Sequence, residues 1–115
     1  MTFSGNAARF HGGALYASSG SEVSWAGETT FSGNLAGDLG GAAYVQGVIR
    51  HSSTTKTTFR SNIAKREGGA LYVRNYGVFL GADILFFNNT ANAGGALFVT
   101  ETTYVVLDGE TNFTA

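Results

Sequence analysis

The chain has 115 residues and a formal net charge of −1, with only 13% charged side chains. This composition excludes the basic footprint of a nucleic-acid-binding domain and a polybasic membrane anchor. Cysteine is absent, which excludes disulfides and thiolate metal sites. Proline is absent too, whereas glycine occurs 17 times. Abundant glycine favours short strands joined by tight turns, since glycine readily adopts the positive backbone angles that turns require.

The first recurring element is the motif Phe-x-x-Asn. Its copies run from Phe3 to Asn6, Phe31 to Asn34, Phe59 to Asn62 and Phe86 to Asn89, and a further Phe113 follows. The phenylalanines are 28, 28, 27 and 27 residues apart. A fixed period of this length is typical of a solenoid, in which each repeat buries its apolar face only against its neighbours. We therefore predict that the phenylalanines stack in a narrow core and that the asparagines form a hydrogen-bonded ladder at a bend.

The second recurring element is Gly-Gly-Ala, a few residues after each motif asparagine. The glycine pairs are Gly12-Gly13, Gly40-Gly41, Gly68-Gly69 and Gly94-Gly95. Paired glycines predict a bend where backbone crowds against backbone and where φ is positive. The turn before each pair differs in charge from coil to coil, with Arg9 and His11, then Asp38, then Lys65, Arg66 and Glu67.

A short strand with an aromatic centre follows each Gly-Gly-Ala. Strand alternation places the flanking aliphatic side chains on one face and the aromatic ring on the other. The aliphatic face is predicted to point into the core, although the opposite register stays open. The rings would then form an outward stripe and a candidate interaction surface, which consists of Tyr16, Tyr44, Tyr72 and Phe98. Neighbouring exposed rings contact proteins or sugars, but cross-coil aromatic pairs also stabilise a sheet by themselves.

A third apolar segment precedes the next phenylalanine and begins at Val23, Val78 and Val105 in three of the coils. In the second coil, Val48 and Ile49 are expected to fill the same wall through a shifted register. Three short strands per turn predict an all-β, single-stranded parallel β-helix. Residues 1–115 would form one repeat segment of about four coils and a partial fifth. Neither end carries a cap, so we expect a piece of a longer solenoid that is capable of end-to-end self-association through uncapped coils.

Together the two motifs resemble the repeats of the chlamydial polymorphic outer-membrane proteins. FSGN, FSGN, FRSN and FFNN fit the first motif, and GGAL, GGAA, GGAL and GGAL fit Gly-Gly-Ala-[Ile/Leu/Val], with Ala43 as the one departure. The resemblance covers nearly the whole chain and implies a right-handed β-helix of the pectin-lyase-like type. It also implies a secreted or cell-surface protein, at the outer membrane or as an autotransporter passenger. Such a protein would be used in adhesion to a host or neighbouring-cell surface protein or glycan.

No catalytic, cofactor-binding or metal-binding residue is predicted, because the acidic residues do not converge. Glu28, Asp83 and Glu110 share a column that also contains Lys56, as expected of a solvated edge. Carbohydrate chemistry requires two placed carboxyl groups or a metal cluster. The predicted function is a non-enzymatic adhesion or spacer segment that neither inserts in a membrane nor binds nucleic acid. The alternative is part of a polysaccharide lyase or hydrolase whose catalytic coils lie outside this segment.

Overall fold

The computed structural model describes residues 1–51, 56–74, 77–100 and 104–114, and every regular element in these ranges is a strand. In chain order the strands are β1 (Thr2–Ser4), β2 (Ala7–Ala8), β3 (Leu15–Ala17), β4 (Glu22–Trp25), β5 (Thr29–Ser32), β6 (Leu35–Ala36), β7 (Ala43–Val45), β8 (Val48–His51), β9 (Thr57–Arg60), β10 (Ile63–Ala64), β11 (Leu71–Val73), β12 (Val78–Phe87), β13 (Leu97–Val99) and β14 (Tyr104–Thr114). None of the described residues belongs to a helix that is long and apolar enough to span a membrane.

The strands pair in parallel, each with its equivalent one repeat away. One sheet runs β1-β5-β9-β12 and continues to β8 and β4, with β14 also paired to β12. A second sheet has the order β13-β11-β7-β3, and a third has the order β10-β6-β2. The register joins Phe3 to Phe31, Phe31 to Phe59, Phe59 to Phe86 and Phe86 to Phe113. Stacked coils of this kind form a parallel β-solenoid, so the predicted fold class is confirmed.

Each of the first three coils carries one strand more than predicted. The additional strands, β2, β6 and β10, are two residues long and end at Ala8, Ala36 and Ala64. Ala36 and Ala64 are almost completely buried, at 0% and 2% exposure. A small side chain at this position lets the walls of the solenoid approach each other closely, and a larger one would be resisted.

A file of phenylalanine rings runs through the middle of the core. Phe3 and Phe31 stack with ring centroids 4.8 Å apart, Phe31 and Phe59 at 4.8 Å, Phe59 and Phe86 at 5.2 Å, and Phe86 and Phe113 at 4.8 Å. Phe31, Phe59 and Phe86 are fully buried, whereas Phe113 is 55% exposed. Stacked rings gain attraction beyond simple burial, so this file fixes the coils above one another.

The third wall of the core has a different register from the one expected. Val23 pairs with Ile49, and that column continues through Phe79 to Val105. Ile49 therefore fills the wall of the second coil, as the expected shift requires. Val78, at which the third apolar segment of its coil begins in the sequence, does not belong to this inward column, because it pairs with Val48 and the fully buried residue is Phe79. A shift of one residue moves a side chain to the opposite face of a strand.

The motif asparagines form a continuous ladder. The Nδ2 atoms of Asn6, Asn34 and Asn62 donate to Oδ1 of the next motif asparagine at 3.1, 2.9 and 3.0 Å. The backbone N–H of each also donates to that Oδ1. From Asn34 onward, Nδ2 also donates to the backbone carbonyl of the motif phenylalanine one coil earlier, as from Asn34 to Phe3. Because Asn34 and Asn62 are 1% and 0% exposed, these bonds satisfy groups that have no access to water.

The two glycines of each pair meet different requirements. The first, as in Gly40 with φ of 67°, has a positive φ that side chains with a Cβ rarely adopt. The second has no positive φ, but a Cβ at Gly41 would lie against the carbonyl oxygen of Gly69 in the next coil. The first glycine therefore makes the bend, and the second permits the close spacing of the coils.

Candidate interaction surface

The predicted aromatic stripe is a single file of stacked rings. Tyr16 and Tyr44 stack with centroids 4.9 Å apart, Tyr44 and Tyr72 at 5.5 Å, and Tyr72 and Phe98 at 5.4 Å. Tyr44 and Tyr72, however, are only 2% and 5% exposed. The prediction that these four residues form an outward surface is therefore wrong for the two central tyrosines. Only Tyr16, at 50% exposure, presents much of its ring to solvent.

The rings are covered by the turn that precedes each glycine pair. Leu39, 5% exposed, packs with Tyr44 and Tyr72 in a second, smaller apolar cluster to which Phe98 adds. The ring of His11 stacks on Tyr44 at 4.6 Å. The turns of successive coils bridge one another at residues 11, 39, 67 and 93. The turn thus closes over the outer face of β7 and β11, where Tyr44 and Tyr72 are buried. Leu39 was missed from the sequence, although it is an apolar residue within a polar turn.

Burial also sets the acidity of the covered tyrosines. It raises the pKa of Tyr44, an effect that the Arg74 guanidinium opposes. It likewise raises the pKa of Tyr72, and the negative charge of the nearby Glu67 carboxylate raises it further. Both hydroxyls are therefore held in their protonated form, as structural groups inside the small cluster.

The outer edge of this turn carries different side chains in each coil. We call it the pre-glycine ridge, and it comprises residues 9–11, 37–39, 65–67 and 92–93. Phe10 is 59% exposed, and the Arg9 guanidinium carbon lies 5.3 Å from its ring centroid. In the next coils Arg66 forms an ion pair with Asp38 at 3.0 Å. The ridge therefore carries a different combination of charge and aromatic surface in each coil.

Acidic side chains elsewhere do not come together as a site. The described ranges contain no group of three His, Cys, Asp or Glu side chains placed to hold a metal ion. Glu28 and Lys56 of the predicted mixed-charge column are exposed, while the side chain of Glu110 lies outside the described part of the structure. An open cleft of about 250 Å³ is lined by Ser19, Gly20, Ser21, Glu22, Gln46, Gly47 and Val48. Its single carboxylate offers no acid and base pair.

Repeated ladders inside and a variable ridge outside define the class of this chain as a parallel β-solenoid repeat protein. The family model of the Chlamydia polymorphic membrane protein (Chlamydia_PMP) repeat matches it four times, at residues 1–18, 28–46, 56–74 and 83–100. These matches cover more than half of the chain, and the chain belongs to this family. No curated protein and no solved structure matches it. The repeat family is not an enzyme family, and its repeats on a β-solenoid fit a segment of a surface protein.

Proposed function

We propose that this segment is a non-enzymatic part of a surface or secreted protein and that it acts in adhesion through the pre-glycine ridge. One observation carries the proposal: the four coils repeat the same rings, amides and glycines inside, but differ in the exposed side chains of the ridge. A rigid scaffold that presents variable turns is the arrangement by which solenoids build binding surfaces. The partner would be a surface protein or glycan of a host or neighbouring cell.

A role as a structural spacer is the second form of this proposal. A spacer needs the internal ladders but gains nothing from an exposed aromatic ring. Phe10 exposes 59% of its surface at the crest of the ridge. An apolar ring held in water at that position favours a contact surface over a passive rod.

Binding to whole cells tests the adhesive function. Labelled segment is incubated with epithelial cells and with bacterial cells, and bound label is measured by flow cytometry. We expect the variant Arg9→Gln/Phe10→Ser/Lys65→Gln to lose at least about fivefold in binding, since ridge contacts are removed. The matched control is Glu22→Gln/Arg50→Gln, which removes an exposed ion pair of 3.7 Å on another face and should bind as the parent does.

The outcomes separate adhesion from the spacer and from catalysis. If the segment binds to no cell type, the result favours the spacer role. If both variants bind equally well, the pre-glycine ridge does not form the contact with the cell. The alternative of a carbohydrate-active solenoid is tested by incubating the segment with polygalacturonate. Release of uronides would contradict the non-enzymatic proposal.

A further inference from the structure

The fourth coil carries a three-residue signal for N-linked glycosylation at its bend. The triplet Asn88-Asn89-Thr90 fits Asn-x-Thr, the sequence in which an asparagine amide can accept an oligosaccharide. The side chain of its middle residue is engaged, since Asn89 Oδ1 accepts from Asn62 and Asn89 Nδ2 donates to the Phe59 carbonyl at 2.9 Å. Asn88 and Thr90, by contrast, are exposed, and neither side chain forms a hydrogen bond with a residue of the described ranges.

Backbone hydrogen bonds hold this bend in place. The N–H of Asn88 donates to the Thr114 carbonyl at 3.0 Å, and the N–H of Thr90 donates to the Asn62 carbonyl at 2.9 Å. The Thr90 carbonyl in turn accepts from the N–H of Ala64 at 3.0 Å. These bonds use main-chain groups alone, so the Asn88 amide and the Thr90 hydroxyl stay available on the surface.

A preference for left-handed backbone does not explain both residues. The residue before each motif asparagine has a positive φ, and these residues are Gly5, Gly33, Ser61 and Asn88. Asparagine adopts this region more readily than most residues, which accounts for Asn88 alone. The column of Thr90, however, holds Ala7, Leu35 and Ile63 in the other coils. The fourth coil therefore differs from the others in having both an asparagine amide and a hydroxyl two residues later.

An exposed aromatic ring immediately precedes Asn88. Phe87 is 44% exposed, although its strand has neighbours on both sides. It pairs with Arg60 in the preceding coil and with Thr114 in the following one, so the stacking of coils leaves its ring in solvent. An exposed large apolar side chain of this kind favours a surface that something covers. Sugar rings present C–H groups that pack on aromatic faces, and a glycan on Asn88 would begin beside this ring.

We propose that Asn88 is an N-glycosylation site and that the first sugar of its glycan packs on Phe87. The Asn88 amide nitrogen forms a bond to C1 of an oligosaccharide carried on a lipid pyrophosphate. The bond between C1 and the pyrophosphate oxygen breaks, the lipid pyrophosphate leaves, and the amide loses one proton. The Thr90 hydroxyl is the group by which the transferase recognises the triplet. This inference rests on the proposed surface or secreted location, because the transfer takes place on exported chains.

Secretion of the whole chain from a eukaryotic host that contains the transferase tests the site. Each protein carries Asn112→Gln, because Asn112-Phe113-Thr114 is the second Asn-x-Thr triplet of the sequence. We expect intact mass spectrometry to show one glycan on most chains, kept in Thr90→Ser and lost in Thr90→Ala and in Asn88→Gly. Asn88→Gly is structurally matched, since Gly33 has a positive φ at the same place in the second coil. Circular dichroism establishes that each variant is folded.

Thermal unfolding tests the contact with Phe87. Endoglycosidase H leaves the first sugar on Asn88, whereas peptide-N-glycosidase F removes the whole glycan and converts the asparagine into aspartate. We expect the protein with the first sugar to melt at least about 2 °C higher than the protein without it, and we expect no such difference in Phe87→Ser. Unglycosylated Asn88→Asp is the control for the conversion to aspartate.

A variant with the triplet in another coil is the matched control for position. Asn88→Gly/Ser61→Asn/Ile63→Thr moves the signal to the third coil, where Asn62 is the middle residue and Arg60 stands in the column of Phe87. The φ of 54° at Ser61 equals that at Asn88. We expect this variant to carry one glycan but to gain no thermal stability from its first sugar.

Each result supports or overturns the inference. A secreted and folded chain without a glycan on Asn88 would overturn the site. An equal gain in melting temperature in Phe87→Ser or in the variant with the moved triplet would overturn the contact with Phe87. If cells bind through the pre-glycine ridge but Asn88 is not modified, the inference is wrong and the adhesive function stands. If Asn88 is modified but no cell binds, the adhesive function fails and the glycosylation site stands.

Discussion

The side-chain amide of Asn34 donates one hydrogen bond to Oδ1 of Asn62 at 2.9 Å and another to the backbone carbonyl of Phe3 at 3.1 Å. Its own Oδ1 accepts from the backbone N–H and from the Nδ2 of Asn6. One side chain thus joins three consecutive coils and uses both donors and its acceptor. Aspartate lacks the donors for this pattern.

Replacing an asparagine in the middle of the ladder should lower the free energy of unfolding far more than replacing the first one. Asn62→Ala leaves the backbone N–H of Asn34, its Nδ2 and the Phe31 carbonyl without their partner. At about 1–3 kcal/mol for each buried unsatisfied group, we expect a loss of at least about 3 kcal/mol in unfolding free energy. Urea titration followed by circular dichroism measures it. The control Asn6→Ala removes only the bond that Nδ2 of this exposed residue donates and keeps the bond from its backbone N–H, so a loss as large as that of Asn62→Ala would contradict the ladder argument.

The phenylalanine file allows the same comparison with an apolar side chain. Phe59→Ala opens a cavity between two stacked neighbours and should destabilise the solenoid by about 3–5 kcal/mol. Phe113→Ala removes a ring that is 55% exposed and has a smaller transfer term, so we expect less than half of that effect. Thermal unfolding of the two variants is the measurement. If both variants lost the same stability, burial would not determine how much each phenylalanine of this column contributes to the free energy of unfolding.

The second glycine of a pair should be less replaceable than a turn glycine of positive φ. In Gly41→Ala the new Cβ meets the Gly69 carbonyl, so the coils must separate, and we expect loss of cooperative unfolding. In Gly33→Ala nothing lies within 4 Å, and only the φ of 62° is strained, at a cost of about 1–2 kcal/mol. Near-ultraviolet dichroism and urea titration compare them. A Gly41→Ala protein as stable as Gly33→Ala would contradict the proposed role in coil spacing.

One substitution should stabilise the chain. The residue before each motif asparagine is left-handed, with φ of 65° at Gly5, 62° at Gly33, 54° at Ser61 and 54° at Asn88. Ser61→Gly relieves this strain and is expected to raise the unfolding free energy by about 0.5–1 kcal/mol. Its control, Ser32→Gly, places glycine at the last residue of β5 and removes the hydrogen bond from the Ser32 hydroxyl to Ser4, so it should lower stability by a similar amount. Melting temperatures that move in the opposite directions would refute the prediction.

The covered tyrosines predict a decline of stability in alkali. The pKa of Tyr72 is raised above its ordinary value of 10.0 by burial, with the Glu67 carboxylate adding to the effect. Above about pH 10 the folded state therefore retains a proton that the unfolded state loses, and the unfolding free energy falls as the pH rises. Below about pH 10 the contribution is constant. Tyr72→Phe should flatten the alkaline decline in urea titrations, whereas Tyr16→Phe, at the exposed end of the file, should not. An unchanged slope in Tyr72→Phe would show that the Tyr72 hydroxyl does not titrate in this way.

Much of the architecture could be predicted because it repeats. Where every repeat has Phe, or Gly-Gly, at the same position, the sequence predicts the same contact in each successive coil. The sequence therefore indicated a solenoid and the register of its main sheet. It did not identify the inward residue of the third wall, since both Val78 and Phe79 are apolar and period-two alternation cannot choose between two apolar faces.

The burial of Tyr44 and Tyr72 also could not be predicted from the sequence. Alternation correctly separates Leu71 and Val73 from Tyr72, but it says only that the ring faces away from the main core. Whether that face is exposed to solvent depends on where the turn before the glycine pair packs. The chain itself determined the period and the ladders. Only the tertiary structure decided that Leu39 covers Tyr44 and Tyr72, because this cover depends on how the turn of one coil packs against the ring of the next.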